Sequence, residues 1–133
     1  MVRLLKGLAP CWLCLPLGAG VLTALPATAA DPAHGRAVFT SQCSVCHSSA
    51  RKGPVIVGPP LYGVVGRPAG SVSGFAYSNT MKTAGFVWTP DRLRAYLPAP
   101  RAYLPGVKMT YGGLKNSQQL DDLIAYLSTL SIG

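Results

Sequence analysis

Two cysteines set two residues apart and followed at once by a histidine, Cys43-Ser44-Val45-Cys46-His47, constrain this chain more than anything else in it. The C-x-x-C-H order is the signature of covalent haem attachment. Two thiols add across the two vinyl groups on one porphyrin edge, and a two-residue spacer at a helix end lets them span it. The adjacent imidazole then faces the iron as proximal ligand. Three other readings of the cysteines are weaker. A thioredoxin-like redox pair wants a strand–helix–strand setting, which the surrounding sequence lacks. A disulfide across so short a spacer is reactive rather than structural. A zinc site would have to recruit Cys11 and Cys14, which are separated from Cys43 by 28 residues and lie in an unlike segment.

That segment is residues 1–30. It opens with Arg3 and Lys6, continues apolar from Leu8 to Leu25 and closes on Pro26-Ala27-Thr28-Ala29-Ala30. A basic start, an apolar middle and a small-residue end make a secretory signal peptide, cleaved after Ala29 or Ala30. The rival is an uncleaved membrane anchor, which Pro10, Pro16, Pro26 and the small-residue terminus disfavour. Removal leaves one domain, residues 31–133, with ten Lys/Arg against four Asp/Glu, two cysteines, His34 and His47, and Met81 and Met109. No other stretch is apolar enough to span a membrane. A domain of this size buries only about 60–65% of its unfolded surface, so a bound cofactor would supply needed core.

The exported part reads as all-α. Asp31-Pro32 starts a helix that runs to about Cys43, with Asp as cap and Pro in the first turn. Residues 48–73 carry Gly53-Pro54, Gly58-Pro59-Pro60, Gly63 and Gly66, which is loop chemistry. Ser78 to Ala84 reads as a short helix stopped by Gly85. Thr89-Pro90-Asp91 starts another, with Leu93, Tyr96 and Leu97 on one face and Pro98 and Pro100 ending it. The last helix begins near Asn116-Ser117, with Gln119 placed for a capping box. Leu120, Leu123, Ile124, Leu127 and Leu130 then keep a 3.6-residue period. Short helices between long Gly/Pro loops make a poor bundle, and such loops in a small domain wrap something.

A second iron ligand has three candidates. His34 flanks a helix start, where solvent exposure is its ordinary fate. Met81 falls in the short helical stretch, where a place in the core or the haem wall is expected. Met109 lies in the loop Leu104-Pro105-Gly106-Val107-Lys108-Met109, which is able to carry a side chain onto an iron face.

Six blocks together resemble class I, mitochondrial-type cytochromes c, along nearly the whole exported chain. They are Cys43–His47, Gly58-Pro59-Pro60-Leu61-Tyr62-Gly63-Val64-Val65-Gly66-Arg67, Gly74-Phe75-Ala76-Tyr77, Gly85-Phe86-Val87-Trp88, Tyr103 to Met109 and Leu123-Ile124-Ala125-Tyr126-Leu127. From Gly35 to Met109 the spacing fits without an insertion. The resemblance implies the cytochrome c fold, with one haem c attached through Cys43 and Cys46, and His47 and Met109 on the iron. It implies further that the Pro59 carbonyl holds His47, that Arg67, Tyr77 and Trp88 face the haem propionates, and that Tyr96 sits beside the Met109 sulfur. Gly35 and Phe39 would meet Leu123 and Tyr126 where the first and last helices cross. Three positions depart from the family: Val107 for Thr, Met81 for Asn and Phe75 for Tyr. Each makes the haem surroundings more apolar.

A His/thioether-ligated iron has no open position, so the expected function is a single-haem electron carrier rather than an enzyme. The leader places it in a bacterial periplasm. The charge balance suits brief docking, as a monomer, on acidic faces of a bc-type complex, terminal oxidase, photosynthetic reaction centre or dehydrogenase. Arg51, Lys52, Lys82, Arg101, Lys108 and Lys115 are candidates for the basic rim. Nucleic acid is excluded by the lack of a basic tract or recognition motif. Rival readings are a dedicated haem subunit of one periplasmic dehydrogenase, and a haem enzyme or gas-binding protein whose Met109 dissociates.

Overall fold

A computed structural model describes residues 28–130, so all but the last three residues of the expected leader, with Cys11 and Cys14, lie outside the described residues. Four helices begin on the small polar residues that the sequence offers as caps. In α1 (Pro32–Gln42) the Asp31 carboxylate accepts the Ala33 N–H at 2.8 Å, and Pro32 occupies the first turn, where no N–H partner is needed. Ser78 caps α2 (Asn79–Lys82) and Thr89 caps α3 (Pro90–Tyr96) in the same way. Asn116 caps the final helix, Ser117–Thr129, by accepting the Gln119 N–H at 2.9 Å. The capping box is therefore formed on the Asn116 side, with Gln119 taking part through its backbone.

One element departs from the sequence reading. Pro98 does follow α3, but Pro100 opens a further helix, α4 (Pro100–Tyr103), rather than ending one. Proline at a first helical position loses nothing, because that N–H has no partner in any helix. The final helix is thus α5. The long Gly/Pro stretch holds no helix and only one bridge, Pro68 with Val87. Around it Gly66 N–H donates to the Trp88 carbonyl at 2.7 Å, Trp88 N–H to Arg67 at 2.9 Å and Ala69 N–H to Phe86 at 2.8 Å. No helix among the described residues is long and apolar enough to cross a membrane.

The core lies between α1 and α5, with α3 packed against α5. Val38 and Phe39 from α1, Leu93, Tyr96 and Leu97 from α3 and its end, and Leu120, Leu123, Ile124 and Leu127 from α5 are all buried. The α1–α5 crossing is unusually close. A Cβ on Gly35 would lie 1.9 Å from the Asp122 carbonyl oxygen and 2.9 Å from Tyr126 Cβ, so only glycine fits. Phe39 packs on Tyr126 one turn further along, at 5.6 Å between ring centroids.

A polar cluster sits at the same crossing. Asp122 is 1% exposed, yet its carboxylate accepts from Asp31 N–H at 2.7 Å and from Gln118 Nε2 at 2.9 Å, and pairs with His34 Nδ1 at 2.5 Å. His34 is therefore not simply solvated: half its side chain is exposed, and the inner edge of the ring bonds across to α5. The backbone N–H of Asp31, followed by His34, holds the Asp122 carboxyl below its ordinary value of 3.8. At the far end of α5, the Leu130 carbonyl accepts the Gly63 N–H at 2.7 Å and ties the loops to the helix.

Gly35→Ala is expected to destabilise the fold by about 2–3 kcal/mol through overpacking against backbone that has no room to move, read as a lower urea midpoint at unchanged m. A carboxyl with a lowered folded pKa contributes stability that is present above its unfolded pKa and lost as pH falls through the folded one. Stability should therefore decline as pH drops below 3.8, and Asp122→Asn should flatten that decline in urea titrations at stepped pH.

Candidate functional site

The C-x-x-C-H segment turns directly off the end of α1. Phe39 carbonyl accepts from Cys43 N–H at 2.8 Å and Ser44 N–H at 3.0 Å, and Cys43 carbonyl accepts from Cys46 N–H at 3.0 Å and His47 N–H at 2.9 Å. This tight turn presents both sulfurs and the imidazole from five consecutive residues. Both thiols are free and half-buried. Burial, and then the neighbouring Cys46, pushes the Cys43 thiol up to about 11. A redox-active pair needs the opposite, a lowered pKa that supplies thiolate. Among the described residues no three His, Cys, Asp or Glu side chains group as a metal cluster would require, and the Cys11 and Cys14 of the zinc reading lie outside those residues.

His47 is fixed from behind. Its Nδ1 lies 2.7 Å from the Pro59 carbonyl, which assigns the proton to Nδ1 and leaves Nε2 as the lone-pair atom. Burial, partly opposed by the Pro59 bond, lowers the His47 pKa and favours the neutral ring. Gly58 makes this approach feasible. A Cβ there would lie 2.3 Å from His47 Cε1. Gly58 N–H in turn donates to the Cys46 carbonyl at 2.8 Å, so the loop carrying Pro59 is stitched to the motif it serves.

Met109 is half-buried against the core on the opposite run of chain, and Tyr96 Oη donates to its sulfur at 3.4 Å. Tyr96 reaches it from α3 through an aromatic row. Its ring packs edge-on against Trp88 at 4.9 Å and Tyr103 at 5.9 Å, and Trp88 packs on Phe86 at 4.9 Å. Burial pushes the Tyr96 hydroxyl up to about 12, so it remains a proton donor at any ordinary pH.

The three residues that the resemblance directs at propionates are brought into one neighbourhood. The ladder about Pro68 and Val87 joins Arg67 to Trp88, and burial raises the Tyr77 hydroxyl while the Arg67 charge acts against that rise. Arg67 also braces the loop that holds His47, since Nη1 donates to the Tyr62 carbonyl at 3.1 Å and Nη2 to Pro60 at 2.9 Å. Tyr77 Oη accepts the Val72 N–H at 3.4 Å. Of the three departures, Met81 is buried, Val107 packs against the core, and Phe75 sets its ring edge-on to Tyr77 at 4.6 Å.

Sequence reasoning missed Tyr111, half-buried two residues past Met109, whose hydroxyl donates to Gln42 Oε1. It also missed that three candidate rim cations serve the Met109 region internally. Arg101 Nε donates to the Met109 carbonyl at 3.4 Å, Lys108 Nζ to Ala76 at 2.7 Å, and Lys115 Nζ to Pro98.

Paired thiols, a neutral imidazole with a free Nε2 and a half-buried thioether are soft and borderline donors that suit a covalently held haem iron. On a small, loop-rich helical frame they define a haem c protein. The cytochrome c family model matches residues 32–131, and the chain belongs to that family. It is 46% identical over 102 residues to the cytochrome c2 of Blastochloris viridis, covering 77% of this chain and 80% of that protein. It is 45% identical over 100 residues to the cytochrome c of Euglena viridis, covering 75% and 97%. The cytochrome c2 of Rhodopila globiformis is 46% identical over 100 residues, covering 75% and 93%. The fold is the all-α cytochrome c fold, the cofactor is haem c held through Cys43 and Cys46, and the protein is a single-haem electron carrier and not an enzyme.

Gly58→Ala should drive the His47 ring out of line with Pro59. Its expected signature is a shift of the ferric absorption spectrum towards the high-spin form and a fall in thermal stability of about 2 kcal/mol or more, against an unchanged yield of covalently attached haem.

Proposed function

We propose that this chain is an exported, soluble carrier of the bacterial periplasm, with His47 and Met109 as the two axial ligands, cycling one electron between membrane or periplasmic redox proteins. The observation that carries this reading is the paired restraint of the two donors. His47 Nδ1 is held by a backbone carbonyl, and Met109 Sδ by a buried tyrosine. Bound haem supplies the reversible one-electron couple. The protein's part is to keep both donors still, so that little reorganises on electron transfer. Pro59 keeps the imidazole in one tautomer and orientation. Tyr96, unable to lose its proton, orients the thioether and marks the face it presents.

Arg67, Tyr77 and Trp88 serve the propionates, with Arg67 doing so through the N–H donors not spent on Pro60 and Tyr62. The apolar side chains of Val107, Met81 and Phe75 dry the site, which disfavours the ferric core's net charge and raises the potential. Residues 1–30 act as the secretory leader, removed after Ala29 or Ala30, and residues 31–133 form the working domain.

Docking uses the exposed cations Arg51, Lys52, Lys82, Arg101, Lys108 and Lys115 against acidic partner faces. The partner classes are a bc-type complex as donor and a terminal oxidase or photosynthetic reaction centre as acceptor. The cytochromes c2 among the relatives support this carrier role.

The test is the ferric absorption spectrum of the purified protein with a redox titration. A Met–iron charge-transfer band, lost in Met109→Ala, is the expected result. A missing band in the unaltered protein, or rapid CO binding to its ferrous form at neutral pH, overturns the ligand assignment. Reduction by a bc-type complex should slow by about tenfold or more as salt rises from low to physiological strength. Fast reduction by a single dehydrogenase, with none by a bc-type complex, would make the protein a dedicated acceptor instead.

A further inference from the structure

The stretch from Lys108 to Gly113 is held in an unusual way. Among the described residues, none of its backbone N–H groups enters a backbone–backbone hydrogen bond; the ladder stops at Val107 N–H to Leu104 and resumes at Leu114 N–H to Leu97. A cleft of about 240 Å³, lined by residues 99–102 and 110–112, separates this stretch from α4. Gly112 and Gly113 then leave its far end without side chains, Gly113 at φ +101°. Side chains therefore do the holding. Lys108 reaches Ala76, Arg101 reaches the Met109 carbonyl, and Tyr96 reaches the Met109 sulfur. All three anchor the stretch to the side of the domain that carries residues 76–101.

Among the described residues, Tyr111 alone carries a side-chain hydrogen bond from this stretch to the other side. Its hydroxyl donates to Gln42, the last residue of α1 and the immediate neighbour of Cys43, across 69 positions of sequence. Both side chains are half-buried, which strengthens the bond relative to a solvated one.

We propose that Tyr111 and Gln42 form a strap that closes the Met109 segment onto the cysteine-bearing end of α1, setting how often that segment opens. Tyr111 is a positioning residue acting through Met109, and the proposal rests on the reading of Met109 as an iron ligand. A segment without its own backbone ladder opens at low cost, so one inter-segment bond weighs heavily in its opening equilibrium. A net hydrogen bond of about 1 kcal/mol corresponds to a fivefold change in the open population.

The experiment uses the haem-loaded protein and follows cyanide entry to ferric iron at fixed neutral pH, beside amide hydrogen exchange of residues 108–113. Tyr111→Phe keeps the ring and loses the donor, Gln42→Leu loses the acceptor, and Gln42→Glu keeps an acceptor. Tyr111→Phe and Gln42→Leu are each expected to speed cyanide entry and local exchange about fivefold. The double variant should do no more than either alone, Gln42→Glu should stay at the original rate, and the global melting temperature should barely move. Unchanged entry and exchange in both single variants, or additive effects in the double, overturn the strap. If the unaltered protein lacks the Met–iron band, the ligand reading falls and exchange of 108–113 alone decides the strap, by the same fivefold criterion.

Discussion

Everything in this domain hangs on two helices, from opposite ends of the described chain, touching backbone to backbone. At Gly35 no side-chain layer separates α1 from α5, and Asp122 at that point binds the N–H that begins α1. Close approach and a satisfied buried carboxylate act together: the missing Cβ admits the α5 backbone, and the cluster around Asp122 removes the cost of burying a charge there. With the ends of the chain locked, the middle manages with three short helices and long loops, some of whose backbone groups pair locally or onto the end of α5, as Gly63 does with Leu130.

This arrangement places the two proposed ligands on different kinds of support. His47 follows directly from α1 and is braced from behind by Pro59 and, through the loop carbonyls, by Arg67. Met109 rides on a stretch without a backbone ladder and is positioned by side chains from Tyr96, Arg101 and Lys108. One side of the site is rigid by construction and the other is held by separable contacts. If both are ligands, as proposed, an electron carrier needs them still during transfer, and backbone on one side and side chains on the other supply that restraint.

Much of this was legible in the sequence. Caps are local, so Asp31, Ser78, Thr89 and Asn116 announced their helices, and the leucine period announced α5. The cysteine–histidine motif is five consecutive residues and needs no fold to be recognised. What escaped was non-local or ambiguous. Pro100 reads as a terminator when only its distance from Pro98 is considered, but proline at a first helical position is equally good grammar. His34 and Asp122 stand 88 positions apart and Tyr111 and Gln42 stand 69 apart. No period or spacing links such pairs, because only the α1–α5 crossing and the course of the loops bring them together. The resemblance directs Arg67 at the haem propionates, while its hold on two loop carbonyls depends on the loop's course and leaves no mark in the sequence.

The internal contacts of these cations have a consequence for testing the proposed recognition. Lysine and arginine at a contact rim are commonly neutralised one at a time to map a partner's footprint, on the assumption that each is a bystander to its own fold. Here Arg101, Lys108 and Lys115 fail that assumption, since each grips a carbonyl in or beside the Met109 region. Neutralising any of them removes an internal hydrogen bond as well as surface charge, so a lost rate would conflate the footprint with a change in the fold around residues 98–115. Arg51, Lys52 and Lys82, whose side chains are exposed and make no such contact among the described residues, are the clean probes. A footprint drawn from those three, with the potential measured alongside for the others, would separate recognition from redox tuning.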